Sequence, residues 1–252
     1  MIHTVKTNEL HLQYIKFGTG DKALVILPGL SVKSVLVYEA SIAAAYSVFT
    51  NDYTVYLLDR RLNLSDGYSI KDMAEDTAAV MNALGIEKAC IFGVSQGGMA
   101  AQQFALDHPD LVEKLVLCST APKMISGPAF AGGDIKEKIN NFMAVLYSDG
   151  VAQAAGMKVP HIELSEEELK RFELLYNASD GFDVSDRLGE IKCPTLVLGS
   201  SEDKILPPEA SVDIAMKIGC ELYMYGPPYG HTVFDEAPDY KNRVFEFLQR
   251  DK

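Results

Sequence analysis

The chain of 252 residues has no tryptophan, only four cysteines and fewer basic than acidic side chains, 23 against 35. A formal net charge of −12 argues against nucleic acid or an anionic membrane surface as a partner, because phosphate recognition needs clustered lysine and arginine. No apolar run approaches the ~20 residues that span a bilayer, so stable membrane association is not expected. The opening Met1-Ile2-His3-Thr4-Val5-Lys6-Thr7-Asn8-Glu9 lacks the apolar core of a secretory signal, and a cytoplasmic location is the expectation. Cys90, Cys118, Cys193 and Cys220 are scattered, with no C-x-x-C pair among them. That spacing suggests neither a zinc cluster nor a redox motif. No phosphate-cradling glycine loop with its lysine is present either, so neither a metal nor an organic cofactor is expected.

What the chain does have is apolar material, 48% of its residues, enough for one large core carrying an insertion. Short apolar runs alternate with helical patterns. Strands are predicted at Leu10–Phe17, Ala23–Leu27, Thr54–Leu58, Ala89–Phe92, Leu115–Cys118, Thr195–Leu198 and Glu221–Tyr225. Several are continuously apolar, as suits strands covered on both faces. Helices are predicted at Ile70–Leu84, Gly97–His108, Pro208–Ile218 and Tyr240–Leu248. The alternation reads as an α/β fold, a mostly parallel central sheet with flanking helices.

The rhythm breaks once. From Ala121 to Leu188 there are helical patches, Asp134–Tyr147 and Ser165–Tyr176, but no convincing core strand. Ser165-Glu166-Glu167-Glu168 has the pattern of a capping box. Structureless loops of this length are rare in compact domains. Residues 121–188 are therefore expected to form a helical cap inserted into a core made of residues 1–120 and 189–252.

Gly93-Val94-Ser95-Gln96-Gly97-Gly98 fits G-x-S-x-G, a pattern that recurs by composition in roughly one chain in ten of this length. Its weight comes from context, a buried strand before it and a helix after it. Such a turn presents a serine hydroxyl at the C-terminal edge of the sheet, with a helix N-terminus behind it that favours negative charge. A serine needs a base to become a nucleophile. Of the five histidines, His3 and His11 precede the sheet core, His108 sits beside Pro109 at a helix end and His161 lies in the insertion. His231 follows the last predicted strand, where a loop returns over the same sheet edge. An acid is expected in Gly199-Ser200-Ser201-Glu202-Asp203, directly after a strand, with Asp203 favoured over its neighbour Glu202. The chain order Ser95, Asp203, His231 is the one associated with a strand-turn-helix serine.

These residues, with Leu27-Pro28-Gly29-Leu30, Asp59-Arg60-Arg61, Asp186-Arg187-Leu188, Cys193-Pro194-Thr195-Leu196-Val197 and Gly230-His231, resemble the α/β-hydrolase superfamily along essentially the whole chain. The resemblance implies a serine nucleophile and an oxyanion hole built from the backbone N–H groups of Leu30 and Gln96. It places the chain near the cap-bearing esterase branch. Two features depart from the family pattern. Pro28-Gly29 replaces the frequent His-Gly, and Arg61-Leu62-Asn63-Leu64-Ser65 has none of the glycines usual after Asp-Arg. Relatives with an aspartate nucleophile are disfavoured by Ser95, and those like prolyl iminopeptidases by the absence of tryptophan beside it.

The expected activity is cleavage of an ester, thioester or related acyl bond in a small, partly apolar substrate. C–C bond hydrolysis, perhydrolysis and acyl transfer are alternatives on the same three residues, and a non-catalytic ligand receptor is the rival class. Within the insertion Tyr147, Met157, His161 and Tyr176 are candidate pocket residues. Most apolar side chains there, Met143, Leu146, Phe172 and Phe182 included, are expected to pack the cap onto the core.

Overall fold

Uninterrupted runs of β-branched and large apolar residues can only be sheltered inside a sheet covered on both faces. That is how the central strands are used. The structure, a computed structural model, describes residues 1–7, 10–125, 127–147 and 163–250. Its strands are β1 (Ile2–Lys6), β2 (His11–Phe17), β3 (Lys22–Leu27), β4 (Tyr53–Leu58), β5 (Ala89–Val94), β6 (Val112–Cys118), β7 (Thr195–Ser200) and β8 (Glu221–Tyr225). They form one sheet of order β1-β2-β4-β3-β5-β6-β7-β8. Pairings β1/β2 and β2/β4 are antiparallel and the rest are parallel. Every residue of β5 and of β7 is buried.

The two-residue period of the strands divides the core. Val25, Leu27, Ile91, Leu115, Leu117 and Val197 face a cluster that includes residues of α2 (Ile70–Ala83), α3 (Gln96–Asp107) and α6 (Pro208–Ile218). Leu24, Ile26, Phe92, Val116, Leu196 and Leu198 face the other cluster, which includes Tyr46, Phe49 and residues of α8 (Tyr240–Gln249). Helix boundaries follow local chemistry. Ser69 caps α2 through a reciprocal bond with Asp72, and Gly219, at φ 74°, ends α6 in the left-handed conformation.

Three elements were not anticipated from the sequence. Strand β1 buries only Val5, so its pattern carries no apolar period. Helix α1 (Glu39–Ala45) buries none of its residues, and α7 (Val233–Glu236) is a single turn. All three are short and owe their form to neighbours more than to their own composition.

Between β6 and β7 the described residues contribute no strand to the sheet. They contain α4 (Ile135–Leu146) and α5 (Glu166–Asn177), the latter opened by the capping box of Ser165 and Glu168. The chain leaves and returns through one place: Met124 N–H donates to Phe182 O (2.9 Å) and Val184 N–H to Pro122 O (2.8 Å). Phe142 and Phe172 are buried; Phe142 stacks on Phe130 and meets Phe172 at a tilt, so the aromatics here are mainly packing residues.

The order β4-β3-β5 means that the chain reverses its direction of growth across the sheet after β4. The connections leaving β3 and β5 therefore run in opposite directions and leave a crevice outside the C-terminal ends of these strands. There the end of β3 meets the first turn of α3 so closely that a Cβ on Gly97 would lie 2.0 Å from the Leu27 carbonyl oxygen. Gly97→Ala should accordingly destabilise the fold by about 3 kcal/mol. Urea unfolding measures this directly, and an unchanged midpoint would contradict the contact.

Candidate active site

The crevice is where the serine motif lies. Between β5 and α3 the chain must turn within one residue, and Ser95 takes φ 52° and ψ −121° to do it. A side chain rarely accepts that left-handed backbone, so surrounding contacts must hold it. Ser95 N–H donates to Cys118 O (2.8 Å), its carbonyl accepts from Thr120 Oγ1 (2.7 Å), and Gly98 N–H closes the helix turn onto the same oxygen (2.8 Å). Gly93 cannot carry a side chain, since its Cβ would lie 2.6 Å from Gly97 O.

His231 comes from the loop after β8 and Asp203 from the loop after β7, so three parallel strands deliver three groups to one sheet edge. His231 Nδ1 donates to Asp203 Oδ2 (2.8 Å), and Ser95 Oγ donates to His231 Nε2 (3.0 Å). A carboxylate only accepts, so Asp203 fixes Nδ1 as the protonated nitrogen and leaves Nε2 free to take a proton. The second carboxylate oxygen, Oδ1, accepts from the N–H groups of Ile205 (2.8 Å) and Leu206 (2.9 Å). His231 is 2% exposed, which keeps water from competing for either bond. Glu202, one residue from Asp203, is exposed and does not approach the imidazole.

Leu30 and Gln96 flank the serine. Gln96 is the first residue of α3, so its backbone N–H has no acceptor within the helix. Leu30 follows Gly29, where a Cβ would sit 3.2 Å from that of Ser95. Arg60 supports this loop from behind, donating through Nη2 to Pro28 O (2.5 Å). Asp59, also buried, accepts from Ser34 Oγ (2.6 Å), its neighbour's N–H (2.8 Å) and Arg171 Nη2 of α5 (3.2 Å). The stretch after it, without the glycines of the family pattern, is pinned otherwise. Arg61 pairs with Asp76, and Leu62 N–H reaches His11 O (2.7 Å).

Two cavities meet at Leu30. The inner one, about 30 Å³, lies under α4 and α5 and is lined by Ser95, Gln96, Phe142, Tyr176, Ser179 and Leu206 among others. The outer one, a trough of about 430 Å³, runs past Gly29, Tyr38, Tyr46, Leu146, Tyr147 and Phe234. Tyr147 and Tyr176, grouped together by the sequence, thus line different spaces. Burial raises the phenol pKa of both. Met157 and His161 lie outside the described residues. Burial also pushes the thiols of Cys90 and Cys118 up to about 12, which leaves them unreactive.

Sequence reasoning missed the groups that hold the histidine loop. Glu236 accepts from Gly230 N–H (3.3 Å), the single proton of the Thr232 hydroxyl is shared between Glu236 (2.8 Å) and Leu146 O (3.0 Å), and Ser200 Oγ donates to Tyr229 O. Polar residues that act on backbone groups leave no motif.

The α/β-hydrolase fold family model matches residues 22–146. With the sheet order above, that settles the family. The chain belongs to the α/β-hydrolase superfamily. Within this superfamily it is 27% identical over 206 residues to a Caulobacter protein provisionally named carbamate hydrolase RutD, which spans 73% of this chain and 74% of that one. It is also 27% identical to a 2-hydroxy-6-oxononadienedioate/2-hydroxy-6-oxononatrienedioate hydrolase of Burkholderia vietnamiensis, over 96% of this chain and 92% of the relative. Its fold matches that of MGS-M2, an α/β hydrolase from a deep-sea metagenome library of the Medee basin. That match has a TM-score of 0.82 and 22% identity, over 99% and 98% of the two chains. Among the described residues no helix is long and apolar enough to cross a membrane.

The geometry separates the two neighbouring carboxylates. Asp203→Asn should lower kcat by about a thousandfold or more, because an amide there no longer holds the imidazole in the required tautomer, while Glu202→Gln should stay within about twofold of wild type. Steady-state rates on any accepted ester provide the comparison, and the reverse ranking would reassign the acid.

Proposed function

We propose that this protein is a serine hydrolase that cleaves an ester, thioester or related acyl bond through an acyl-Ser95 intermediate. The observation that carries the reading is the unbroken relay from Ser95 Oγ to His231 Nε2 and from Nδ1 to Asp203, placed where two cavities meet. Both relatives' names describe hydrolysis of a compound with a carbonyl carbon, a carbamate and a 6-oxo acid, which supports chemistry at such a centre.

In the proposed reaction the substrate carbonyl lies over Ser95 with its oxygen toward the N–H groups of Leu30 and Gln96. Ser95 Oγ attacks the carbon as His231 Nε2 takes its proton. The negative charge on the carbonyl oxygen meets two fixed donors and the N-terminus of α3, the kind of preorganised field that contributes most in such sites. Asp203 stays ionised and stabilises the imidazolium. Nε2 then gives its proton to the leaving group as the C–O or C–S bond breaks. A water, deprotonated by Nε2, attacks the acyl-serine, and the free acid departs with Ser95 restored. No step calls on a metal or an organic cofactor.

The two cavities suit the two halves of such a substrate. The inner one is walled by buried and half-buried side chains and in this reading limits the access of water to the acyl group while it is covalently held. The outer trough is bordered by exposed residues such as Tyr38 and Ala45, and it gives the leaving group a way out. Residues 121–188 act in this reading as a cap that sets substrate choice. Its described part is tied to the core by Arg171 on Asp59 and by the Gln96 side chain.

Ser95→Ala should abolish covalent labelling by a fluorophosphonate probe, read by intact mass, with an unchanged circular dichroism spectrum. Stoichiometric labelling of the variant would identify another nucleophile. The two cap tyrosines should separate by substrate half. Tyr176→Ala should shift kcat/KM by about tenfold toward longer acyl chains at constant alcohol. Tyr147→Ala should respond instead to the size of the alcohol. A profile unmoved by either variant would remove residues 121–188 from substrate selection.

A further inference from the structure

Gln96 is 4% exposed, and its side chain is divided between two tasks. Nε2 donates one proton to Leu175 O (2.6 Å) and the other to Ser179 Oγ (3.0 Å). Leu175 lies in the last turn of α5, where carbonyls have no helical partner, so Gln96 caps the cap helix. This contact also fixes the orientation of the amide. A carbonyl can only accept, and rotating the amide would set two oxygens against each other. Oε1 therefore keeps its position, and it is buried with no hydrogen-bond partner among the described residues. Unpaired buried acceptors are uncommon in folded proteins and point to a missing ligand or water.

Both Gln96 and Ser179 line the inner cavity beside Ser95. Ser179, 5% exposed, accepts from Gln96 and still has its own hydroxyl proton to give. Two residues of the cavity wall thus carry an unpaired acceptor, Oε1, and a donor, Oγ–H, among apolar neighbours such as Met99, Phe130, Phe142 and Leu206. A carboxylate ligand would bring acceptor against acceptor at Oε1. An ammonium would find no countercharge, since no carboxylate lines this cavity among the described residues. A neutral carboxamide matches both, its N–H to Oε1 and its C=O to the serine proton. We infer that Gln96 Oε1 and Ser179 Oγ form a polar subsite that recognises a carboxamide-like group, a donor next to an acceptor, on the acyl portion of the substrate. The inference rests on the serine-hydrolase reading and gives it a substrate class. It also links recognition to the reacting centre, because the residue that senses the acyl group is the one whose backbone N–H would meet the oxyanion.

The test compares two ethyl esters of similar shape, succinamate with its terminal carboxamide and 4-methylpentanoate with an isopropyl group in its place, followed by proton release. The quantity read is the ratio of their kcat/KM values in wild type, Gln96→Leu and Ser179→Ala; the last keeps the tether to Leu175. The ratio should fall about tenfold or more in Gln96→Leu and severalfold in Ser179→Ala, since each removes one partner of the carboxamide, and any loss common to both esters cancels in the ratio. A ratio that moves less than twofold in both variants, with both esters turned over, would overturn the subsite and leave the hydrolase reading standing. If neither ester is turned over and Ser95 is not labelled by a fluorophosphonate, the hydrolase reading fails and the subsite with it.

Discussion

The close approach of the β5–α3 turn to the end of β3 is the constraint on which the rest of the site depends. Gly97 lies against the Leu27 and Pro28 carbonyls with no room for a side chain between them. That contact places the N–H of Gln96 and the loop carrying Leu30 on either side of Ser95. Thr120, at the end of β6, holds the strained serine through its carbonyl. A left-handed serine is tolerable only because three strands and a helix fix its surroundings together.

The other groups of the relay come from loops with little structure of their own, and each is held by polar contacts to backbone. Two N–H groups and one imidazole saturate Asp203, so its carboxylate has one orientation. Glu236 and Ser200 do the same for the chain around His231. The buried relay therefore has rigid support although it sits on loops, the usual requirement for preorganised chemistry.

The insertion between β6 and β7 is joined to the core differently. Its aromatic residues pack mainly on one another and on the core, while the bonds that cross to the site are few and polar: Arg171 to Asp59, Gln96 to Leu175 and Ser179, and Thr232 to Leu146. Each of these reaches Asp59, which neighbours the Arg60 that supports the Pro28 loop, or a residue next to Ser95 or His231. The insertion and the serine–histidine site are thus joined by direct hydrogen bonds.

Much of this was legible in the sequence, and the reasons differ by element. Buried parallel strands announce themselves because both faces must be apolar, as in Leu-Val-Leu of β7. The glycines around Ser95 are visible because that backbone admits little else, and the Ser165–Glu168 box marked the start of α5 because capping is local. The order Ser95, Asp203, His231 followed from strand order. Edge strand β1 and helix α1 were hidden, since they bury little and carry no period. The sequence by itself determined which residue types are available at the sheet edge, because composition and spacing are one-dimensional properties. Tertiary structure alone decided that Tyr147 and Tyr176 line separate cavities and that, among the described residues, Gln96 Oε1 is buried without a partner. These facts depend on distances between segments far apart in the chain, 83 residues for Gln96 and Ser179, which no local pattern encodes.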